Sequence, residues 1–160
     1  MFSENYKEEF DCIRNGKTYN DPTVYINITS KKIKSDAPKG KENWFVMINA
    51  PHNSGQFSKN IIQQIKKDIV LKINRILNTN IEKHIVSQHI VDPKTIEKET
   101  LSFAGALYGT SSNTKSSAFF RHPNFSKDIQ GLYFCGGSVH PGGGIPLALS
   151  SAKIVDGLIS

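Results

Sequence analysis

A glycine-rich segment near the end of the sequence constrains the fold more than any other feature. Residues 132–147 read LYFCGGSVHPGGGIPL, in which four apolar residues precede five glycines within nine positions. The apolar run predicts a short buried strand, and Pro146 in a helical first turn predicts that a helix follows the glycines. The apolar face of that helix is expected to comprise Leu147, Ala148, Ala152, Val155, Leu158 and Ile159. The segment is therefore predicted to form a strand, a tight turn and a helix.

The turn before this helix has two physical interpretations. Glycines adopt positive φ and allow close approach of other atoms, so the turn can serve tight packing alone. A helix N-terminus also has unpaired N–H groups and about half a positive charge, which favour an electron-rich ligand. The common nucleotide motifs do not fit, because GxxxxGK[ST] is absent and only sixteen residues follow Gly144, too few for a Rossmann unit. On spacing alone both interpretations stay open, and His140 is interpreted as a structural hydrogen-bonding residue because no acid partner is visible.

Composition and charge indicate the class of protein. A chain of 160 residues is long enough for one compact domain. Cys12 and Cys135 lie far apart without metal-binding spacing, so both are predicted to be reduced thiols, Cys12 near the surface and Cys135 in the buried strand, and no metal site is expected. The net charge of +6 comes from scattered lysines without an aromatic cluster, which favours a solvated surface over nucleic acid. The start lacks an apolar signal region and no stretch reaches about 18 apolar residues, so a cytoplasmic location is expected.

The remaining pattern alternates between predicted strands and helices. Residues 22–30 and 44–51 are predicted strands of a sheet that is at least partly buried, and residues 84–92 are a predicted third strand. Isoleucines at three- and four-residue spacing predict an amphipathic helix over residues 57–77, with Ser58 as its N-cap. Asp92 before Pro93 predicts the start of a short helix, and residues 103–131 are predicted loops. The fold class is therefore α/β or α+β.

A family resemblance rests mainly on the same glycine-rich segment. Residues 131–159, GLYFCGGSVHPGGGIPLALSSAKIVDGLI, resemble the C-terminal signature of the phytoene desaturase family, the bacterial-type carotenoid desaturases that are FAD-dependent oxidoreductases. Three earlier segments resemble the family's segments in the same order: DPTVYINITSKK, ENWFVMINAPHNSGQ and GALYGTSSNTKSSAFFRHPN. They are most similar to desaturases of hydroxycarotenoids and apo-carotenoids. The resemblance covers nearly all of the chain.

The resemblance implies a fold and a cofactor, FAD. The family binds FAD across two distant pieces of a two-domain, Rossmann-like flavoprotein of the glutathione reductase type: an N-terminal GxGxxG unit and a C-terminal strand, turn and helix. This sequence has only the second piece, so residues 1–103 are expected to form part of the substrate-binding domain and residues 104–160 the C-terminal segment of the FAD-binding domain. By the match, Gly136, Gly137 and Ser138 would lie near the pyrophosphate and ribityl chain. Gly143, Gly144, Ile145 and Pro146 would lie beside the isoalloxazine ring.

The resemblance also implies a reaction and partners. The family removes a hydride and a proton from an acyclic carotenoid or related isoprenoid to form a C=C bond. No residue is assigned as catalytic, and the polar candidates near the glycine-rich segments are Tyr108, Arg121 and His140. The match begins in mid-protein, so we expect a truncated or split gene product that pairs with a missing N-terminal half and neither retains FAD nor oxidises a substrate alone. A bilayer substrate would also favour peripheral contact with a membrane. The alternatives are a polyene isomerase or saturase of the same fold and a non-catalytic basic binding module.

Overall fold

A computed structural model describes residues 1–109 and 121–160. The chain divides into two compact units, Met1–Lys94 and Thr95–Ser160. The first unit contains helix α1 (Tyr6–Arg14), strands β1 (Val24–Asn27) and β2 (Phe45–Ile48), and helix α2 (Lys59–Leu77). Helix α3 (Pro93–Thr100) follows, and the second unit ends in helix α4 (Ile145–Ile159). Part of the predicted loop over 103–131 lies outside the described residues.

The predictions for β1, β2, α2, α3 and α4 are confirmed as elements. β1 and β2 pair antiparallel, with Val24 opposite Ile48. The Ser58 hydroxyl accepts a hydrogen bond from the Ile61 N–H at 3.3 Å, as expected of an N-cap. α2 ends at Leu77, and the left-handed backbone of the C-cap residue Asn78 (φ 47°) stops the helix. The fold is therefore mixed, with helices and a small two-stranded sheet.

Helix α1 is an element that the sequence analysis did not assign. Asn5 caps it, because its side-chain oxygen accepts from the Glu8 N–H at 3.2 Å while its amide nitrogen donates to the Glu8 carboxylate at 3.0 Å. The three-residue spacing of these two residues resembles a capping box and is a signal that sequence reasoning could have used.

A buried polar cluster ties β1 to α1 and α2 in the first unit. The Glu9 carboxylate of α1 is fully buried and accepts from the Thr23 N–H at 2.9 Å and the Thr23 hydroxyl at 2.7 Å. The Lys72 ammonium of α2 is also buried, and it donates to the Pro22 carbonyl at 2.7 Å and contacts Asp21 at 2.9 Å. Each buried charge therefore has hydrogen-bonding partners, which its burial requires.

Three predictions about strands and burial are wrong. Residues 84–92 form no strand: His84 ends a short 3₁₀ turn (Ile81–His84), and residues 85–91 are exposed chain without regular secondary structure. The apolar run at 132–135 makes a single bridge, between Phe125 and Tyr133, and Cys135 is exposed rather than buried. The prediction of a partly buried sheet is confirmed, because Val24 is buried, although β2 is exposed along most of its length, with Phe45 at 60 %. An apolar run becomes a buried strand only where other elements cover it.

Candidate functional site

The glycine-rich turn joins residue 135 to the first turn of α4. Its backbone has positive φ at Gly136 (125°), Gly142 (134°) and Gly144 (99°), a region that other residues rarely adopt. The His140–Pro141 peptide bond is cis. Gly144 is the N-cap of α4, and its carbonyl accepts from the Ala148 N–H at 2.9 Å. The predicted turn and helix start are thus confirmed, whereas the strand before them is not.

Some of these glycines are required by packing within the chain itself. A methyl group at Gly143 would lie 2.5 Å from Cδ1 of Tyr108, and one at Gly142 would lie 3.0 Å from Nε of Arg121. A methyl group at Gly137 would meet the Cα of Gly143 at 3.4 Å, which is an ordinary contact. The packing interpretation is therefore correct for Gly143, whereas at Gly142 the neighbour is the flexible end of Arg121 and the positive φ is what favours glycine.

The other two positive-φ glycines face open space. No heavy atom of the described chain lies within 4 Å of a methyl group placed at Gly136 or Gly144. Beyond Gly144, Ile145 is 79 % exposed and Pro146 is exposed, so the first turn of α4 faces solvent. A flat or anionic group can approach this end, where the N–H groups of the first turn and the helix dipole favour negative charge. These residues fit the flavin that the family resemblance implies.

Tyr108 and Arg121, two of the polar candidates of the sequence analysis, lie against Gly143 and Gly142 of the turn. The Arg121 guanidinium donates to the Tyr108 carbonyl at 2.7 Å. A methyl group at Gly109, next to Tyr108, would lie 2.9 Å from the carbonyl oxygen of Ser138. The side chain of Ser138 itself is exposed. Both candidates therefore make packing or hydrogen-bond contacts around the turn.

His140 contributes to the turn through its backbone. Its N–H donates to the His122 carbonyl at 2.9 Å, and its own carbonyl accepts from the Asn124 side chain at 2.9 Å. The residue is exposed. These contacts agree with the structural interpretation of His140.

Sequence reasoning missed two buried polar residues that hold the turn to α4. Asn124 and Ser151 are almost completely buried, and the Asn124 amide nitrogen lies 2.8 Å from the Ser151 hydroxyl oxygen. The same nitrogen lies 3.1 Å from the Phe134 carbonyl, and the Ser151 hydroxyl accepts from the Gly136 N–H at 3.1 Å. Ser151 carried only a weak sequence signal, because the helix also contains Ser150, Lys153 and Asp156. Asn124 carried no comparable signal, because it lies in a loop.

The described residues contain neither a metal-ligand cluster nor a membrane-spanning helix. Within residues 1–109 and 121–160, no three His, Cys, Asp or Glu side chains come together as metal ligands. None of the helices in these ranges has the length and apolar character needed to cross a membrane.

Comparison with known proteins identifies relatives over the full chain. The sequence is 59% identical over 160 residues to 1-hydroxycarotenoid 3,4-desaturase of Flavobacterium sp. (strain P99-3), covering 99% of this chain and 33% of that protein. The chain is homologous to carotenoid desaturases. The chain is also 34% identical over 166 residues to the 4,4'-diapophytoene desaturase (4,4'-diaponeurosporene-forming) of Staphylococcus aureus (strain Newman), covering 99% of this chain and 33% of that protein. The chain thus spans about a third of the length of these carotenoid desaturases, and no protein-family model matches it.

Proposed function

We propose that this chain is the C-terminal portion of an FAD-dependent carotenoid desaturase, which forms C=C bonds in an acyclic carotenoid or related isoprenoid. The observation that carries the proposal is the 59% identity to a carotenoid desaturase along the whole chain, including the glycine-rich turn. Both relatives described above are desaturases by name, so desaturation is favoured over isomerisation or saturation of a polyene. Nothing in these relatives favours a basic binding module.

The open part of the turn supports the assignment of FAD as the cofactor. Gly144, Ile145 and Pro146 would place the positive end of α4 beside the isoalloxazine ring, and the lack of a side chain at Gly144 leaves room for a flat ring. The chemistry that bound FAD would supply is acceptance of the hydride that leaves the CH–CH unit of the polyene. The helix end would stabilise the negative charge that such a transfer leaves nearby.

The first part of the turn would meet the rest of the cofactor. Gly136 faces open space and Ser138 is exposed, so both are accessible to a ribityl chain or a phosphate. The Gly136 N–H already donates to Ser151, so a ligand would meet the surface of Gly136 rather than that donor. A methyl group at Gly137 would be in ordinary contact with Gly143, so these two glycines would lie on neighbouring arms of the turn beside the cofactor.

The proposal also assigns the two parts of the chain. Residues 104–160 would complete the FAD-binding domain, and residues 1–103 would belong to the substrate-binding domain, with the exposed apolar residues of β2 covered in the longer enzyme. The partner would be the N-terminal piece that carries the GxGxxG unit. The enzyme would be cytoplasmic, and peripheral contact with the membrane would give it access to a carotenoid in the bilayer.

A chimeric enzyme tests the proposal. The matching third of the Flavobacterium desaturase is replaced by this chain, and the purified chimera is assayed for bound flavin by visible absorbance and for desaturation of a 1-hydroxycarotenoid. We expect stoichiometric flavin and a product with an added double bond. A folded chimera that holds no flavin would contradict the proposal.

The isolated chain gives a complementary measurement. Purified with excess FAD, it is expected to show no stoichiometric flavin absorbance after gel filtration, because it would supply only one of two binding pieces. A yellow, stoichiometric complex would show that the turn binds flavin without the other piece.

A further inference from the structure

Asn124 is placed to control the conformation of the glycine turn. Its backbone carbonyl accepts from the Phe134 N–H at 2.8 Å, and its side-chain nitrogen lies 3.1 Å from the Phe134 carbonyl. One residue thus hydrogen-bonds both polar backbone groups of Phe134, immediately before the turn. The same side chain reaches the His140 carbonyl at 2.9 Å, in the middle of the turn. Asn124 therefore fixes two points that are six residues apart in the chain.

Ser151 connects this arrangement to the last helix. Its hydroxyl oxygen accepts from the Asn124 side chain at 2.8 Å and from the Gly136 N–H at 3.1 Å. Ser151 has no exposed surface and Asn124 is 4 % exposed, so water does not replace these bonds readily. The two side chains, the Asn124–Ser151 pair, hold residues 134, 136 and 140 against α4.

The chemistry of the pair requires these residue types. Three acceptor oxygens lie around the Asn124 nitrogen, and the amide has two N–H donors, so one N–H is shared between two of these oxygens. A carboxylate of the same shape has no donor, and an apolar side chain would leave two partly buried carbonyls and the buried Ser151 hydroxyl without this donor. The pair therefore specifies one geometry of the turn, which an apolar contact of the same volume would not do.

We propose that Asn124, acting through Ser151, is a positioning residue that holds the glycine turn in the form which leaves Gly144 and the start of α4 open to a ligand. The inference rests on the proposed function for the identity of that ligand, the flavin. The geometry of the turn can be measured without any ligand, so the two proposals can fail separately.

The first experiment measures the turn in the full chain without flavin. Ser151→Ala removes the acceptor of the Gly136 N–H, and Ser150→Ala is the matched control, since Ser150 is exposed on the same helix and donates to the Pro146 carbonyl. Amide signals of the turn glycines and their hydrogen exchange are followed by NMR. We expect Ser151→Ala to shift these signals and to speed exchange of the Gly136 amide about tenfold or more, whereas Ser150→Ala leaves both unchanged.

The second experiment uses the flavin-binding chimera with Asn124→Asp and Asn124→Ala. We expect either variant to weaken flavin retention about tenfold or more and to change the visible flavin band, while far-UV circular dichroism shows that the fold is kept. If both variants unfold the protein, Ser151→Ala in the chimera decides by the same two readouts.

Two results would overturn the positioning role. One is a folded Ser151→Ala chain whose turn signals match those of the wild type. The other is a folded Asn124 variant of the chimera that retains flavin with an unchanged spectrum. If the wild-type chimera itself binds no flavin, the proposed function fails, and the same NMR measurement on the full chain, made on Ser151→Ala and on Asn124→Ala, still decides whether Asn124 and Ser151 set the turn.

Discussion

Substitution of Gly143 by alanine separates the packing requirement of the turn from any requirement of a ligand. The added methyl group would lie 2.5 Å from Cδ1 and 3.0 Å from Cγ of Tyr108, whereas carbon atoms normally pack at about 3.5–4.0 Å. The ring must therefore move by about 1 Å. Overpacking of this kind costs about 1–3 kcal/mol. Because φ of Gly143 is not positive, the backbone itself accepts alanine.

The assay is thermal unfolding in two backgrounds, wild type and Tyr108→Ala. For a chain of this size, each kcal/mol corresponds to a shift of about 2–4 °C in Tm. In the wild type, Gly143→Ala is therefore expected to lower Tm by about 2–4 °C for each of the roughly 1–3 kcal/mol that overpacking costs. In the Tyr108→Ala background, where the obstructing ring is absent, the cost of Gly143→Ala should fall below about 0.5 kcal/mol, since the coupling between contacting residues is then removed.

A matched control is available on α4. Gly157 has helical backbone, and a methyl group placed on it would have no heavy atom within 4 Å, so Gly157→Ala should raise stability by up to about 1 kcal/mol. Equal destabilisation by Gly143→Ala in both backgrounds would refute the steric reasoning. In the chimera, a Tyr108→Ala/Gly143→Ala variant that regains stability but not flavin would show that Gly143 also lies against the cofactor.

Three further predictions concern the first unit. Lys72→Met removes the buried cation from Asp21 and the Pro22 carbonyl, although Asp21 keeps its contact with Arg75, and should cost about 1–3 kcal/mol in urea unfolding followed by Trp44 fluorescence; an unchanged midpoint would refute this. Partial burial raises the pKa of Asp21, but the backbone N–H bond and the two cations beside it outweigh burial, so the pKa lies below its usual 3.8. The Asp21 carboxylate therefore stabilises the fold fully at neutral pH and less as the pH falls through 3.8 toward the lowered pKa of the folded state. The loss of stability caused by Asp21→Asn should accordingly become smaller over that pH range. A loss of stability that does not change with pH would contradict the assignment. Ser58→Ala should cost about 1 kcal/mol by the same urea assay, because it removes the N-cap of α2.

The sequence by itself was sufficient wherever structure depends on local chemistry. The hydroxyl of Ser58 before a helical pattern, Pro93 after an aspartate and Pro146 after three glycines each mark a helix start, and the structure has all three helices. The glycine turn was predictable for the same reason, since the ability to adopt positive φ at little cost is a property of glycine itself. The relation to carotenoid desaturases was also evident from the motif HPGGGIP.

Tertiary structure decided what depends on distant parts of the chain. Burial of an apolar run needs covering elements, which is why the runs at 84–92 and 132–135 are not buried strands despite their composition. Tertiary structure also decided which glycines contact other side chains, because Tyr108 and Arg121 come from a separate segment and lie against Gly143 and Gly142. The bond between Asn124 and Ser151 joins residues 27 positions apart, and no periodic pattern in sequence records such a contact. Local propensity thus determined where the turn lies, and long-range packing determined which of its faces is open.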